Sequence, residues 1–374
     1  MRRTIIALLL ALAATVSLHA ATKKKRVVIS TDLATGLQGG WRQWDDADDG
    51  WAVAMALADP MLDPRAVITV FGNSNVAPET IVARELIPLT ATPRVRIAMG
   101  ASVKLDQPQA ALNGKTLTRD CWSEGVAVLA DVLKAAPATI VAIGPLTDVG
   151  CLALNEPALA AKITEVIAVM GRQKNETFSL GPIPALTDFN LVMDDRAVRV
   201  LLDETKIPMT FLQFDLTRQV LVPAEDVKKL ATGTPLERFL YEGTMPWIGF
   251  WKNTFKEDGF HPWDSNAVFY ASHPEAFGCE TVHYEMVPCA APQDDPYNRG
   301  GGCAGHGPNQ NPSLDKEAFQ LWLASDLTSA RAVRTCTQYA PGGQDAFRKA
   351  IFKCLLPACS GALKRAATPD KLSR

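Results

Sequence analysis

The sequence has no excess of positive charge, since 38 lysine and arginine residues face 40 aspartate and glutamate residues over 374 positions. Proteins that bind nucleic acid through its phosphates need a basic surface, so nucleic acid is excluded as a partner. No C-x-x-C pair occurs, which argues against a zinc ribbon or finger. The glycine run at 300–302 follows no predicted strand and opens no helix, which argues against a phosphate-binding or dinucleotide-binding loop.

The sequence also lacks an apolar run of the roughly 20 residues that a membrane-spanning helix needs. The apolar run at residues 4–18 is shorter, follows Arg2 and Arg3, and ends at His19, Ala20 and Ala21. This order of features is typical of a secretory signal peptide, with an uncleaved anchor as the alternative. We therefore expect residues 1–20 to be a signal peptide, the mature protein to be secreted or periplasmic, and no membrane attachment after cleavage.

Cysteine is present in an even number, eight, all beyond the expected signal peptide. Six of the eight follow residue 275, in a stretch rich in glycine, proline and asparagine. Disulfide bonds are expected in an oxidising compartment. We expect residues 286–374 to form a loop-rich, cysteine-rich region that packs on the preceding domain. The cysteines are Cys121, Cys151, Cys279, Cys289, Cys303, Cys336, Cys354 and Cys359.

Apolar, β-branched runs alternate with segments of helical period along most of the chain. Such alternation predicts parallel β-α-β units, and strands buried on both faces read as continuous apolar runs. The sequence therefore predicts an α/β fold with an open, mostly parallel, Rossmann-like sheet flanked by helices. Strands are predicted at residues 26–30, 66–70, 95–98, 139–143, 165–170 and 209–214, and helices at 50–58, 78–89, 125–134, 148–154 and 195–202.

Carboxylates are concentrated after the first predicted strand. Asp32 ends that strand, and Asp45-Asp46 and Asp48-Asp49 precede the next helix. One or two of these side chains can cap the helix, but more ionised carboxylates repel each other unless a cation offsets them. A calcium site and a solvated acidic loop are both consistent with this pattern, and the spacing is not that of an EF-hand. Further along, Asp264 precedes a predicted helix at 267–271, where it is expected to be a helix cap or a ligand.

Seven short motifs, in order, resemble the inosine-uridine preferring nucleoside hydrolases, over roughly residues 26–285. That family opens with D-x-D-x-G-x-D-D and continues with a strand that ends in V-x-G-N. Later motifs are G-P-L-T-N, M-G-G, E-F-N, L-D-L-T and H-D-P-x-A-V. The matching stretches are Asp32 with Asp48-Asp49, AVITVFGN at 66–73, IGPLTD at 143–148, VMG at 169–171, DFN at 188–190, FDLT at 214–217, and Trp263-Asp264 with Ala267-Val268.

The resemblance implies hydrolysis of ribonucleosides to free base and ribose by one bound Ca²⁺ ion and an activated water. Its metal ligands are expected to be Asp32, Asp49, Asp264 and the backbone carbonyl of Ile143. Asp32 is also expected to act as general base, taking the proton of the attacking water. Homodimers or homotetramers are implied as well. Residues expected to contact the substrate are Asp48, Asn73, Met170, Asp188, Asn190 and Asp264.

The first motif departs from the family pattern. Fifteen residues separate Asp32 from Asp48, where the family has three, and Ser30 stands in place of the first aspartate. In a competing register the pair is Asp45-Asp46. Asp48-Asp49 is preferred because it alone keeps an ungapped spacing to Gly72-Asn73.

The leaving base needs a proton or equivalent stabilisation, and two residues are candidates for this role. Trp263 resembles the residue of purine-preferring members, where the indole stacks on the base. His261 is the alternative, as general acid, and simple core packing is the remaining interpretation of Trp263. Three functions stay open: a nucleoside hydrolase with a purine preference, a non-catalytic calcium-bearing binding protein, and a hydrolase of another ribosyl compound.

Overall fold

The computed structural model describes residues 24–39, 44–90, 92–106, 121–176, 178–180, 183–186, 188–288 and 319–353. The expected signal peptide, the glycine run at 300–302 and four of the cysteines lie outside the described residues. Within the described part of the chain, no helix has the length and apolar character needed to cross a membrane.

Most of the strands form one ten-stranded sheet with the order β3-β2-β1-β4-β5-β9-β14-β12-β13-β6. The strands from β3 to β14 in this order run parallel, and β12 is antiparallel to both β14 and β13. The strands are β1 Lys25–Thr31, β2 Leu62–Thr69, β3 Arg96–Met99, β4 Ala138–Ile143, β5 Ile163–Val169, β6 Arg172–Gln173, β7 Phe178–Leu180, β8 Ile183–Leu186, β9 Met209–Leu212, β10 Val222–Pro223, β11 Gly259–Phe260, β12 Phe277–Pro288, β13 Phe319–Ala324 and β14 Val333–Tyr339.

Helices flank this sheet and connect its parallel strands. They are α1 Asp48–Ala58, α2 Val76–Leu86, α3 Glu124–Ala135, α4 Thr147–Asn155, α5 Pro157–Ala160, α6 Phe189–Met193, α7 Asp195–Asp203, α8 Phe214–Thr217, α9 Ala224–Lys228, α10 Pro235–Thr254, α11 Trp263–Ser272 and α12 Gly343–Lys353. Short 3₁₀ helices follow at Ile87–Leu89, Lys229–Thr232 and Pro274–Ala276. The predicted mostly parallel α/β fold is confirmed, with all six predicted strands and five predicted helices present within a few residues of their expected limits.

The central parallel strands β1, β4 and β9 are buried along most of their length, which explains why they read as continuous apolar runs. Successive side chains of a strand point to opposite faces. Accordingly, Val27 and Ile29 of β1 belong to one hydrophobic cluster, and Val28 belongs to the other.

Two disulfide bonds lie among the described residues. Cys121 is bonded to Cys151 of α4, and Cys279 of β12 is bonded to Cys336 of β14. The second bond joins directly paired residues of neighbouring antiparallel strands. The expectation of disulfides is confirmed for these four cysteines.

One predicted helix boundary is wrong. The helix expected at 267–271 begins at Trp263, so Asp264 lies inside its first turn, and the capping position belongs to Pro262. The sequence suggested a later start because polar residues precede the apolar run. In the folded chain Asp264, Ser265 and Asn266 are buried, and Asn266 Nδ2 donates to the Pro262 carbonyl at 3.1 Å.

Candidate active site

Four aspartates meet at the carboxyl end of the parallel strands. Asp32 follows β1, Asp48 and Asp49 open α1, and Asp264 lies in the first turn of α11. All four are at most 6% exposed. One carboxylate oxygen from each of Asp48, Asp49 and Asp264 lies within 4.8 Å of the other two. In open parallel sheets, this edge is where ligands bind.

Asn73, after β2, bridges two of these carboxylates. Its backbone N–H donates to Asp32 Oδ2 at 2.9 Å, and its side-chain amide donates to Asp49 Oδ2 at 3.0 Å. The hydroxyl of Thr31 donates to the other oxygen of Asp49. Both oxygens of Asp49 and one oxygen of Asp32 are therefore held in place by the ends of β1 and β2.

Asp48 connects the starts of two helices. Its Oδ2 accepts a hydrogen bond from the backbone N–H of Asp264 at 3.0 Å. The first-turn N–H groups of a helix lack partners within the helix, and a carboxylate is a favourable acceptor there. This bond fixes the position of α11 relative to α1.

Two glycines make room for the Asp32 carboxylate. A Cβ atom on Gly72 would lie 2.1 Å from Asp32 Oδ2, and a Cβ atom on Gly144 would lie 2.8 Å from Asp32 Oδ1. Such distances are too short for any side chain at either position. The glycines of the V-x-G-N and G-P-L-T stretches are therefore required by the packing of Asp32.

Burial is the largest cause of the raised pKa values in this cluster. It raises the pKa of Asp32, Asp49 and Asp264 well above 3.8, and neighbouring carboxylates raise each further. Burial and the charge of Asp46 likewise raise the pKa of Asp48 well above 3.8. Without a cation, the cluster therefore favours protonated carboxyl groups.

The donor set fits a hard divalent cation. Every side-chain donor is a carboxylate oxygen, the ligand type that Ca²⁺ and Mg²⁺ prefer. Asp32 Oδ1 is buried and has no hydrogen-bond partner among the described residues. Ile143 ends β4 directly beside Thr31 of β1 in the sheet register, which places its backbone next to this cluster. A cation bound here would lower the raised pKa values.

The two candidate aspartate pairs, Asp45-Asp46 and Asp48-Asp49, have different surroundings in the structure. Asp48 and Asp49 join Asp264, whereas Asp46 Oδ1 accepts hydrogen bonds from the backbone N–H groups of Ala47 at 2.8 Å and Asp48 at 3.4 Å. Asp46 thus stabilises the start of α1 and lies beside the cluster. Among the described residues, Asp48-Asp49 is the pair that meets the last aspartate.

The base of the insertion between Asp32 and Asp48 is packed against the core. Thr35 Oγ1 accepts from the backbone N–H of Gly50 at 3.0 Å and donates to the carbonyl of Ala47 at 3.0 Å. Leu33 and Ala34 are fully buried. The extra residues therefore leave α1 in position to present its aspartates.

Other predicted substrate-binding residues lie at the end of β5. Asp188 Oδ2 accepts from the backbone N–H of Gly171 at 2.6 Å, and Asn190 Nδ2 donates to the carbonyl of Val169 at 3.1 Å. Burial raises the pKa of Asp188, while the nearby charge of Arg172 lowers it. Met170 is buried beside them. These residues share an edge of the sheet with the aspartate cluster, and their contact with substrate stays a prediction.

Trp263 and His261 lie together in an aromatic cluster. The Trp263 ring centroid lies 5.2 Å from Trp251, 5.7 Å from His261 and 6.1 Å from Phe214. This packing agrees with a core role for the indole, and its role toward the base stays a prediction.

The ring nitrogens of His261 are both engaged. Nδ1 lies 2.8 Å from the Val220 carbonyl, and Nε2 lies 2.9 Å from the Glu257 carboxylate. Because a carbonyl oxygen only accepts, Nδ1 carries a proton. His261 therefore has structural partners at both nitrogens.

Sequence reasoning missed Glu79 of α2, which is fully buried near the cluster. Burial raises its pKa to about 10, with the charges of Asp49 and Asp45 adding to the shift. The signal was present in the sequence, since Glu79 lies three residues from both Val76 and Val82 on the apolar stripe of its helix. A carboxyl group on a buried helix face needs a specific reason to be there.

The fold and the site define an α/β protein with a buried, all-carboxylate cation site at the carboxyl edge of its sheet. The chain belongs to the inosine-uridine preferring nucleoside hydrolase family, whose sequence profile matches residues 44–318.

Relatives of known sequence agree with this membership. The chain is 27% identical over 211 residues to the pyrimidine-specific ribonucleoside hydrolase RihA of Salmonella enteritidis PT4, covering 52% of this chain and 66% of that protein. The match to RihA of Escherichia coli O7:K1 is 28% over 213 residues with the same coverage. The chain thus spans slightly less than two thirds of the length of these relatives.

The fold is shared with solved nucleoside hydrolases. A plant nucleoside hydrolase, PpNRh1, matches with a TM-score of 0.66 and 17% identity over 89% of this chain and 99% of that one. A purine-preferring ribonucleoside hydrolase from Gardnerella vaginalis matches with a TM-score of 0.64 and 18% identity over 88% of this chain and 99% of that one.

Proposed function

We propose that the protein is a calcium-dependent nucleoside hydrolase that cleaves the N-glycosidic bond of ribonucleosides to free base and ribose. The observation that carries the proposal is the buried group of Asp48, Asp49 and Asp264, to which Asn73 ties Asp32 by donating hydrogen bonds to both Asp32 and Asp49. Four buried acids with raised pKa values destabilise a fold when they ionise, and a bound cation offsets that cost. Family membership supports the same conclusion.

Asp32, Asp49, Asp264 and the carbonyl of Ile143 are proposed to hold the calcium ion, which supplies a water of lowered pKa. Asp32 is the proposed general base. Its Oδ2 is held by Asn73, while its buried Oδ1 has no partner among the described residues and can accept the proton of the attacking water.

In the proposed reaction the water oxygen attacks the anomeric carbon. The bond from that carbon to the base nitrogen breaks, its electron pair leaves with the base, and the base takes a proton from solvent water, while the proton accepted by Asp32 returns to solvent. Positive charge develops on the ribose during this step. The carboxylates of Asp48 and Asp188 and the amides of Asn73 and Asn190 are proposed to bind the ribose hydroxyls and stabilise that charge.

Trp263 is proposed to stabilise the leaving base by stacking, in preference to proton donation by His261. The contacts of His261 with Val220 and Glu257 support this choice, because they occupy both ring nitrogens. Stacking on an indole suits purines best, so a purine preference is part of the proposal. The named relatives include pyrimidine-specific and purine-preferring proteins, so both classes of nucleoside belong in the test.

Export and assembly are further parts of the proposal. We propose that residues 1–20 direct the protein to the periplasm or the medium, and the two disulfides of the described chain support an oxidising compartment. N-terminal sequencing of the exported protein tests the cleavage site. A homodimer or homotetramer is proposed from the family resemblance, and light scattering of the purified protein tests it.

The test of the activity is release of ribose from inosine, guanosine, adenosine, uridine and cytidine by the purified protein, with and without a calcium chelator. Ribose release that the chelator abolishes and added Ca²⁺ restores supports the proposal. Absence of release from all five nucleosides, by folded protein shown to contain Ca²⁺, contradicts it and favours a non-catalytic binding protein.

A further inference from the structure

Glu79 is a buried acid that the proposed reaction leaves without a role. It lies in α2, and its side chain is fully buried. The surroundings of Glu79 are acidic, since Asp49 and Asp45 act on it electrostatically. Burying another carboxyl group in such surroundings costs free energy of folding. Hydrogen bonds that an apolar side chain could not make offset that cost.

The carboxyl group of Glu79 holds the turn that precedes its own helix. Its Oε1 accepts a hydrogen bond from the backbone N–H of Ser74 at 2.8 Å. The backbone N–H of Glu79 donates to the Asn75 carbonyl at 3.3 Å, and Gly72 N–H donates to the Ser74 carbonyl at 3.1 Å. The turn at residues 72–75 is therefore held both within itself and by Glu79.

This turn carries the residue that bridges the cluster. Asn73 directly precedes Ser74, and it donates from its backbone to Asp32 and from its side chain to Asp49. We propose that Glu79 is a positioning residue of the active site, which holds the turn at 72–75 so that Asn73 fixes Asp32 and Asp49 in the orientation that binds the cation. This inference rests on the proposed function, but its test does not depend on catalysis.

Two substitutions separate the hydrogen bond from the volume of the side chain. Glu79→Gln keeps an acceptor oxygen for Ser74, whereas Glu79→Met keeps a similar volume without a strong acceptor. Glu85, on the same helix and exposed to solvent, provides the matched control Glu85→Met. These replacements leave the core filled, which favours folding of each variant.

The first measurement is the affinity for Ca²⁺ by calorimetry. Groups that orient metal ligands typically change affinity by about 10- to 100-fold when they are removed. Glu79→Met is therefore expected to lose about 10- to 100-fold in Ca²⁺ affinity. Glu79→Gln and Glu85→Met are expected to remain within about threefold of wild type, since each keeps the Ser74 acceptor.

The second measurement is hydrogen–deuterium exchange of the peptide that contains residues 72–75. We expect faster exchange in Glu79→Met and wild-type exchange in Glu79→Gln. Unchanged exchange and unchanged Ca²⁺ affinity in Glu79→Met overturn the proposal. Equal loss in the Gln and Met variants also overturns it, because the hydrogen bond from Ser74, which the Gln variant keeps, would then not be what positions Asn73.

The two proposals fail in distinguishable ways. If wild type binds Ca²⁺ but cleaves no nucleoside, the hydrolase proposal fails, and the affinities of the variants still decide the role of Glu79. If wild type binds no Ca²⁺, the positioning proposal fails as well, because it states that Glu79 serves cation binding.

Discussion

The backbone N–H of Asp264 donates to the carboxylate of Asp48 at 3.0 Å, across 216 residues of sequence. This bond joins the first turns of α1 and α11. Helices that are far apart in the sequence therefore contribute to one site. The acids that it brings together are buried and repel one another. Ionisation of these carboxylates therefore destabilises the fold by mutual repulsion, and a bound cation reduces that repulsion.

Stability of the cation-free protein should fall as pH rises. Asp32, Asp48, Asp49 and Asp264 have native pKa values above the unfolded value of 3.8, so the native state binds more protons above that pH. Stability that is fully present below pH 3.8 is then lost as pH rises through the native pKa values. Ca²⁺ should remove most of this loss, because it stabilises the ionised carboxylates.

Thermal unfolding with chelator and with Ca²⁺ at about pH 5 and about pH 8 measures this effect. The increase in Tm caused by Ca²⁺ should be larger at the higher pH. A smaller residual loss should persist in Ca²⁺, because burial raises the pKa of Asp148 to about 6 in a site of its own, where it accepts from Ala101 N–H at 3.0 Å. An equal Ca²⁺ effect at both pH values contradicts the assignment of the cation to this cluster.

Gly72→Ala should damage both stability and activity, because its Cβ would lie 2.1 Å from the Asp32 carboxylate. We expect a loss of about 1–3 kcal/mol in unfolding free energy, as for overpacked cores, together with reduced kcat/KM. Gly249→Ala is the matched control, since nothing lies within 4 Å of its added Cβ in α10. That change should stabilise the helix by about 0.5–1 kcal/mol. Similar denaturation midpoints for the two variants would be inconsistent with a crowded Asp32.

Trp263→Ala should lower kcat/KM for inosine by about 5- to 150-fold, the range that corresponds to the loss of one base–aromatic stack of about 1–3 kcal/mol. Trp263→Phe should recover part of the loss because it keeps an aromatic face. His261→Gln should stay within a few-fold in kcat/KM, since both ring nitrogens have structural partners. Steady-state kinetics on inosine and uridine test these values. A larger loss for His261→Gln than for Trp263→Ala, in folded protein, would reverse the two roles.

The sequence predicted the parallel part of the fold better than it predicted the contacts among the four buried aspartates. The apolar runs of β1, β2, β4 and β5 are strong signals because these strands are buried on both faces. The twenty-residue helix α10 was not predicted, although its Thr234-Glu237 capping box is visible in the sequence. Its internal Pro246 and its aromatic residues obscure the helical pattern.

Contacts within the site depend on long-range packing, which the order of motifs does not specify. The bond from Asp264 to Asp48 and the bonds from Asn73 to Asp32 and Asp49 form only when α11 and α1 meet the ends of β1 and β2. The contacts of His261 likewise come from residues 220 and 257, which no motif connects to it. Motifs therefore located the acids, and tertiary structure determined what each acid touches.

The most direct measurement is kcat/KM of Asp32→Asn in saturating Ca²⁺, on the nucleoside that wild type cleaves fastest. Removing a general base typically costs about 10²- to 10⁴-fold, so a loss in that range is expected. Asp131→Asn, at an exposed position of α3, should retain wild-type activity. Wild-type kcat/KM in folded Asp32→Asn would contradict the proposed reaction at this site.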